Sequence, residues 1–369
     1  MEIDEFGVEG WLNVHEREAK YDLAQSTITS FSMNELVSLT KADQTYSELD
    51  QQKMNYGWIE GSPTFKQEVS KLYDHVDPDN VLQTNGATGA NMLALYSLIE
   101  PGDHVISVYP SYQQLYDIPR SLGADVSFWK LREEDNWYPD IEELKRLIRP
   151  TTKMICINNA NNPTGTILDR NFMEQVVAVA KSVDAYVLVD EVYLPFDDSV
   201  DFAPIIDLYD KGISTNSLSK TYSMPGIRVG WTATNAELAE RFRKYRDYTM
   251  ICAGVFSDQA ACLVLQNREK VLARNRQIVL DNLRIFKNWV ERTPKVSCVF
   301  PNGVSTSFIK METKESSENF CRHLLADTGV LLVPGEAFDV PGHARLGYCA
   351  PTETLEKGLE ILGQYLEEH

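Results

Sequence analysis

The chain has 369 residues, 43% of them hydrophobic and 24% charged, which is material for one large domain with a smaller one and gives no sign of disorder. A formal net charge of -19 argues against a polyanionic partner such as nucleic acid, whose binding depends on basic residues that release counterions. The six cysteines (Cys156, Cys252, Cys262, Cys298, Cys321 and Cys349) form no CxxC pair and have no histidine at zinc-ligand spacing, so they read as reduced thiols of a cytosolic protein rather than metal ligands.

The N-terminus, MEIDEFGVEGW, is acidic and lacks the apolar stretch of a secretory signal, and no apolar run approaches a membrane span; a cytoplasmic location is expected. From about residue 80 the chain alternates short β-branched runs with helical patterns. VLQTN precedes ATGANMLALYSLIE, and HVISVYP precedes YQQLYDIPRSLG. ADVSFWKL, IEELKRLIR, KMICINNA, FMEQVVAVAKSV, AYVLVDEVY, GISTNSLS and VGWTATN continue the alternation. The strand runs are apolar on both faces, which predicts an α/β domain with a mainly parallel sheet covered by helices.

Beyond about residue 255 the character changes. A long helical pattern runs from roughly Phe256 to Val290, followed by strands in CVFPNG and STSFIKME and a helix in SENFCRHLLADTG. A last helix carries Leu355, Leu359, Leu362 and Leu366 on one face, with Thr352 as its expected cap and Glu353 in its first turn. This part predicts a smaller α+β domain, and the first forty residues, which do not fit the α/β alternation, are expected to pack against it. The expected division is 45–265 for the large domain and 1–44 with 266–369 for the small one.

Four short stretches carry chemistry. The first is NSLSKTYSMPGIRVG, Asn216 to Gly230. A lysine amine is a useful nucleophile when part of it is unprotonated or when it is tied up as an imine. Lys220 follows a buried strand, and Arg228 is placed to return to the same pocket, where a guanidinium binds phosphate in a bidentate manner. Ser217 adds a hydroxyl donor. A surface turn with an incidental lysine would need neither the arginine nor the Pro-Gly turn. The second stretch is GATGAN, Gly86 to Asn91, which follows a strand and opens a helix. Backbone N–H groups at such a terminus, with Thr88 beside them, form an anion site, though a tight strand-to-helix turn explains the glycines equally well. The loop is neither a Walker A nor a GxGxxG motif.

The third stretch is VLVDEVY, Val187 to Tyr193. Asp190 ends an apolar strand, where open α/β sheets place ligand groups, and it can hold a cation or a protonated ring nitrogen. The magnesium-binding strand of an ATPase has a similar look, but it requires a phosphate loop upstream that is missing here. Tyr193 lies three residues on. The fourth is NNPTG, Asn161 to Gly165, a sharp turn after KMICIN in which Asn162 offers an amide donor to a ring oxyanion.

NNPTG, DEVY and SxSKxxxxPGxRxG, in this order, resemble the motifs of the fold type I pyridoxal-phosphate aminotransferases of class I/II. The resemblance runs from about Tyr56 to the C-terminus. It implies the three-layer PLP-transferase fold and pyridoxal 5'-phosphate as cofactor. Lys220 would form the internal aldimine and Asp190 would pair with the pyridine nitrogen. Tyr193 and Asn162 would hydrogen-bond the phenolic oxygen. Ala87, Thr88, Ser217 and Arg228, with Ser219 as a weaker candidate, would hold the phosphate, and Tyr112 would stack on the ring. Tyr56 resembles the tyrosine that reaches the phosphate of a neighbouring subunit, which implies a homodimer with shared active sites. Arg345, in HARLGY, matches the arginine that binds the substrate α-carboxylate, with Asn162 beside it. Catalysis would then rest on Lys220, Asp190 and Tyr193, moving an amino group from an L-amino acid to a 2-oxo acid.

The sequence departs from this pattern in three places. Asn159 stands where the family usually has proline, and GAT lacks a first-position serine in the phosphate loop. The N-terminal segment YDLAQSTITSFSMNEL replaces a glycine-rich stretch and looks more like the branch that includes capreomycidine synthase. A PLP-dependent lyase or cyclase on the same scaffold is therefore the nearest alternative. A non-catalytic PLP-binding regulator fused to a DNA-binding domain is disfavoured by the charge and by the absence of a basic helix-turn-helix extension.

Overall fold

The protein is described here from a computed structural model that covers residues 2–42 and 51–369. The β-branched runs become a seven-stranded sheet in the spatial order Val81–Thr84, Gly230–Ala233, Gly212–Ser217, Tyr186–Asp190, Thr152–Asn158, His104–Tyr109, Asp125–Lys130. Gly230–Ala233 runs antiparallel to both neighbours, and the other strands are parallel to one another. Strands Val81–Thr84 and Gly212–Ser217 are buried at every position, as a sheet covered on both faces requires. Asp125–Lys130, at the sheet edge, is the most exposed strand, with Trp129 its one buried residue.

The later part of the chain builds a four-stranded antiparallel sheet in the order Val333–Pro334, His343–Leu346, Ser307–Met311, Val296–Cys298. The N-terminal segment does join this part: Tyr21–Asp22 pairs in parallel with Val330–Leu331, and Gly347 N–H donates to Leu23 O at 2.8 Å. We propose the division into 45–265 and 1–44 with 266–369 on this separation of the two sheets; its boundary at residue 44 lies outside the described residues. The helix Thr352–Glu368 buries Leu355, Leu359, Leu362 and Leu366 together, matching their spacing.

Two local expectations are corrected. The long helical pattern is two helices, Val255–Gln266 and Arg268–Arg292, broken at Asn267. There the Asn267 side-chain amide donates to Leu263 O at 3.0 Å, a local bond of the kind that competes with helix propagation. Thr352 is not the cap of the last helix. Pro351 precedes the helix, and the Thr352 hydroxyl instead donates to Asn282 Oδ1 at 3.0 Å, tying two helices together.

One close approach positions everything at the sheet edge. A methyl group at Gly230 would lie 2.7 Å from both Ala87 N and Asn216 O. Both are backbone atoms that cannot swing away, so Gly230→Ala is expected to destabilise the fold by about 1–3 kcal/mol. Urea unfolding of the variant checks this, and an unchanged midpoint would show that the two segments move apart freely.

Candidate active site

The C-terminal ends of the parallel strands converge on one side of the large sheet. Thr84, Asn158, Asp190 and Ser217 each end a strand there, and the chain then leaves in loops. This is where open α/β sheets gather ligand groups, because diverging loops leave a crevice. Here the crevice is a cavity of ≈ 480 Å³.

Lys220 sits in the turn that follows the buried strand Gly212–Ser217. The turn is closed by Leu218 N–H to Val229 O at 3.0 Å and Met224 N–H to Leu218 O at 2.8 Å. Thr221 anchors it from beneath: its hydroxyl donates to Val192 O at 2.8 Å and accepts from Leu194 N–H at 2.9 Å. Lys220 Nζ reaches the cavity and donates to Ser26 Oγ at 3.1 Å. Burial lowers its pKa to about 8, helped by the charges of Arg345 and Arg228 and opposed by those of Glu9 and Asp190.

Asp190 ends its strand fully enclosed. Burial raises its carboxyl to about 6, against the pull of two hydrogen-bond donors and the Lys220 charge. Asn91 Nδ2 donates to Asp190 Oδ2 at 2.7 Å, and the Thr215 hydroxyl donates to Asn91 Oδ1 at 2.6 Å. This chain of donors fixes the Asn91 amide so that its N–H points at the carboxylate and favours the ionised form.

The anion cradle lies at the start of helix Gly86–Leu98. Asn85, before it, makes no side-chain cap, so the first N–H groups are left without a capping partner. Gly86 has φ +68, and a side chain on it would begin 2.6 Å from Arg228 Nη2. Glycine is required for the guanidinium to lie against the helix terminus. Arg228 is held by donating to Pro225 O at 3.0 Å and to Ser219 Oγ at 3.4 Å. Ala87, Thr88, Ser217 and Ser219 line the same corner.

Arg345 lines the same cavity, buried on strand His343–Leu346. Its Nη1 donates to Asn162 Oδ1 at 3.2 Å and its Nη2 to Ala24 O at 2.8 Å, while Nε has no partner among the described residues. A buried guanidinium with a free donor is a seat for an anion. Burial holds its pKa below the ordinary arginine value. Tyr193 donates to Ser26 Oγ at 2.8 Å and is pushed up to about 12 by burial, so it remains a phenol. Asn162 is fixed by its own N–H, which donates to Asn158 Oδ1 at 2.7 Å. Tyr112 lines the cavity with its ring centroid 5.1 Å from that of Phe6.

The fold thus brings together Lys220, Asp190, Tyr193, Asn162, Ala87, Thr88, Tyr112, Ser217, Ser219, Arg228 and Arg345, all of which line one cavity. Tyr56 is not among them. It is 82% exposed on the surface of this subunit. Residues missed in the sequence are Asn91, Asn158, and Ser26 with Thr27. Asn91 was legible as a polar residue on the buried face of the GATGAN helix, and Asn158 as the last residue of its strand. Ser26 and Thr27 carry no local signal; pairing of Tyr21–Asp22 with Val330–Leu331 delivers them.

A lysine of depressed pKa, a buried carboxylate and an anion cradle suit a phosphorylated, ring-bearing aldehyde cofactor. A model of the family Aminotransferase class I and II matches residues 19–362, and the chain belongs to that family. The cofactor that goes with membership is pyridoxal 5'-phosphate, and the donor set above fits it: Arg228 with the start of helix Gly86–Leu98 would hold a phosphate, the Asp190 carboxylate a ring nitrogen and the Lys220 amine an aldehyde. Among relatives, the chain is 27% identical to capreomycidine synthase of Streptomyces vinaceus, over 98% of this chain and 94% of that one. It is 31% identical to an aspartate aminotransferase of Thermotoga maritima, over 79% of this chain and 76% of that one. Among solved structures, a PLP-dependent aminotransferase from Streptococcus suis superposes with TM-score 0.97 at 56% identity, covering 100% of this chain and 99% of that one. The PLP-dependent cyclase OrfR superposes with TM-score 0.91 at 25% identity, covering 100% and 98%.

The pKa of Lys220 has a direct consequence. In cofactor-free protein, its labelling by an amine-acylating reagent is expected to rise with a midpoint near pH 8, since only the neutral amine reacts. Peptide mass spectrometry of wild type against Lys220→Ala reads this rate across pH. A midpoint at the ordinary lysine value of 10.5 would mean that the amine is well solvated.

Proposed function

We propose that the protein transfers the amino group of an L-amino acid to a 2-oxo acid, with pyridoxal phosphate held covalently through Lys220 Nζ. The observation that carries this reading is the placement of Lys220 in one cavity with Asp190, Arg345 and Arg228, all of whose charges act on its amine. When bound, the cofactor supplies the electron sink that makes the substrate Cα–H acidic.

The chain's own residues supply position and proton transfer. Arg345, with its free Nε, takes the substrate α-carboxylate and holds Cα near Lys220. Lys220 Nζ, neutral above about pH 8, removes the Cα proton and returns it one position away as general base and then acid. Asp190, ionised above about pH 6, would keep a proton on the cofactor's ring nitrogen. Tyr193 and Asn162 donate toward the ring oxygen, and Arg228, Thr88, Ser217 and Ser219 hold the phosphate. Tyr112 and the helix Gly7–His15 cover the cavity and restrict water.

A homodimer belongs to the same reading. Met54, Tyr56, Trp58 and Ile59 are exposed, as are Tyr248, Ile251 and Phe256, and Gly57 approaches Ala253 O closely enough to join the two groups into one patch. A cleft lined by Met250, Arg246, Thr88 and Arg228 leads from this side to the cradle. A second copy seated there would bring its own Tyr56 to the phosphate.

A cyclase or lyase is the second reading, favoured by the whole-length likeness to capreomycidine synthase. The visible spectrum of cofactor-loaded protein decides between them. With a single amino acid and no 2-oxo acid, a transaminase bleaches its yellow band stoichiometrically and recovers it on adding a 2-oxo acid. Catalytic consumption of amino acid with the band retained would favour cyclisation or elimination. Lys220→Ala is expected to lose the cofactor mass adduct after borohydride reduction and all turnover. Asp190→Ala should bind cofactor but lose about 10²–10⁴ of the rate, as for removal of a main electrostatic group. Full activity in Lys220→Ala would sink the assignment.

A further inference from the structure

One wall of the cavity is a helix whose polar side chains have no role in the transferase reading. Glu9, Asn13 and Glu16 line the cavity from Gly7–His15 and the turn after it. Their spacing of four and three residues places them on one helical face. The helix is fixed in place, not draped. Gly7 N–H donates to Gln113 Oε1 at 2.8 Å, Trp11 Nε1 donates to Leu332 O at 2.8 Å, and Gly7 lies so close to Ala337 O that a side chain would start 2.8 Å from it. Glu16 accepts from Gln25 Nε2 at 2.9 Å, which holds its carboxylate beside the loop carrying Ser26.

Charge settles which ligand such a wall suits. The cations lining the cavity, among the described residues, are Lys220, Arg228 and Arg345. On the reading above they serve the amine, the phosphate and the α-carboxylate. Among the described residues of this subunit none is left for an acidic side chain, which would instead face two carboxylates. The field of Glu9 already acts on Lys220, Arg345, Tyr112 and Tyr193, so its charge bears on the interior of the site as well as on solvent. Independently, the unpartnered Nε of buried Arg345 marks where an anionic group docks, and a substrate anchored there has its side chain free to extend toward the helix.

We infer that the amino-acid substrate has a basic side chain, and that Glu9 and Glu16, with Asn13 between them, hold its terminal ammonium or guanidinium in the cavity they share with Arg345. The inference rests on the transferase reading for the positions of the α-carboxylate and α-amine. Asn13 supplies an amide oxygen to the same cation, and Glu9 is the specificity-determining residue because its charge reaches furthest into the site.

The test uses cofactor-loaded protein with L-arginine, L-ornithine, L-citrulline and L-aspartate, each alone. Citrulline copies the shape of arginine without its charge. Two readouts are taken: the change in the visible band as amino acid is titrated, and the rise in melting temperature, which reports binding whatever chemistry follows. Arginine or ornithine should half-saturate at a concentration about tenfold below citrulline, the effect of one charge-assisted hydrogen bond. Glu9→Gln should raise the arginine value about tenfold and move the citrulline value less than about twofold. Glu16→Gln should do the same more weakly. Aspartate or citrulline matching the basic amino acids would overturn the inference and leave the transferase reading standing. So would a Glu9→Gln variant that weakens arginine and citrulline equally. If no amino acid alters the band or the melting temperature, both readings fall together.

Discussion

The structure is organised around ionisable groups taken out of water at the end of a parallel sheet. Burying Asp190 and Lys220 costs solvation, and each is held nearer to neutrality than it would be on the surface. The fold recovers part of that cost with specific donors. Thr215 fixes Asn91, and Asn91 donates to Asp190. Without that amide the carboxyl would have Val192 N–H as its remaining donor, at 3.3 Å. The result is a carboxylate and an amine that titrate within reach of neutral pH, a setting suited to proton transfer.

The remainder of the architecture serves this corner. Glycines at positions 86 and 230 allow the antiparallel strand, the helix start and Arg228 to meet with no side chain between them. The small sheet contributes Arg345 from strand His343–Leu346, and the N-terminal segment contributes Ser26, whose hydroxyl accepts from both Tyr193 and Lys220. Three stretches far apart in sequence therefore meet at one hydroxyl. The acidic helix Gly7–His15 lines a further side of the cavity, with Glu9 and, just beyond the helix, Glu16 exposed there while Arg345 and Asp190 are buried. Such an arrangement orients a zwitterionic ligand before any specific contact forms.

Family membership and residue roles rest on different grounds. The match over residues 19–362 establishes membership, and with it the cofactor. It does not choose among transfer, elimination and cyclisation, because those reactions share the lysine, the carboxylate and the cradle. What separates them is whether the substrate carries a leaving group and where the proton is returned, and on the proposal above the substrate side chain is held by the N-terminal segment. This segment is where the chain departs from the glycine-rich pattern of many relatives.

Much of the chemistry was legible in the residues themselves. Alternating apolar runs predict the parallel sheet because strands buried on both faces must be apolar on both faces, and seven of those runs became its strands. Lys220, Asn162 and Arg228 stand out because each lies in a turn whose composition a structural role leaves unexplained, and Asp190 because it puts a charge at the end of an apolar strand. Local pattern failed where a single side chain redirected the backbone, as at Asn267, or where a hydroxyl found a distant partner, as at Thr352. It also failed wherever the contact was non-local. Ser26 has no neighbours in sequence that mark it, and Tyr56 lies exposed on this subunit rather than in the cavity lining. The acidic spacing of Glu9, Asn13 and Glu16 is visible in the sequence, but a helical face is only a face until something stands opposite. Residue identity determined which groups can ionise, donate or clamp a phosphate. Tertiary structure alone decided which of them share a cavity, how far burial moves their proton affinities, and that the acidic face lines the same cavity as Arg345, because distance and solvent exclusion are properties of the packed chain.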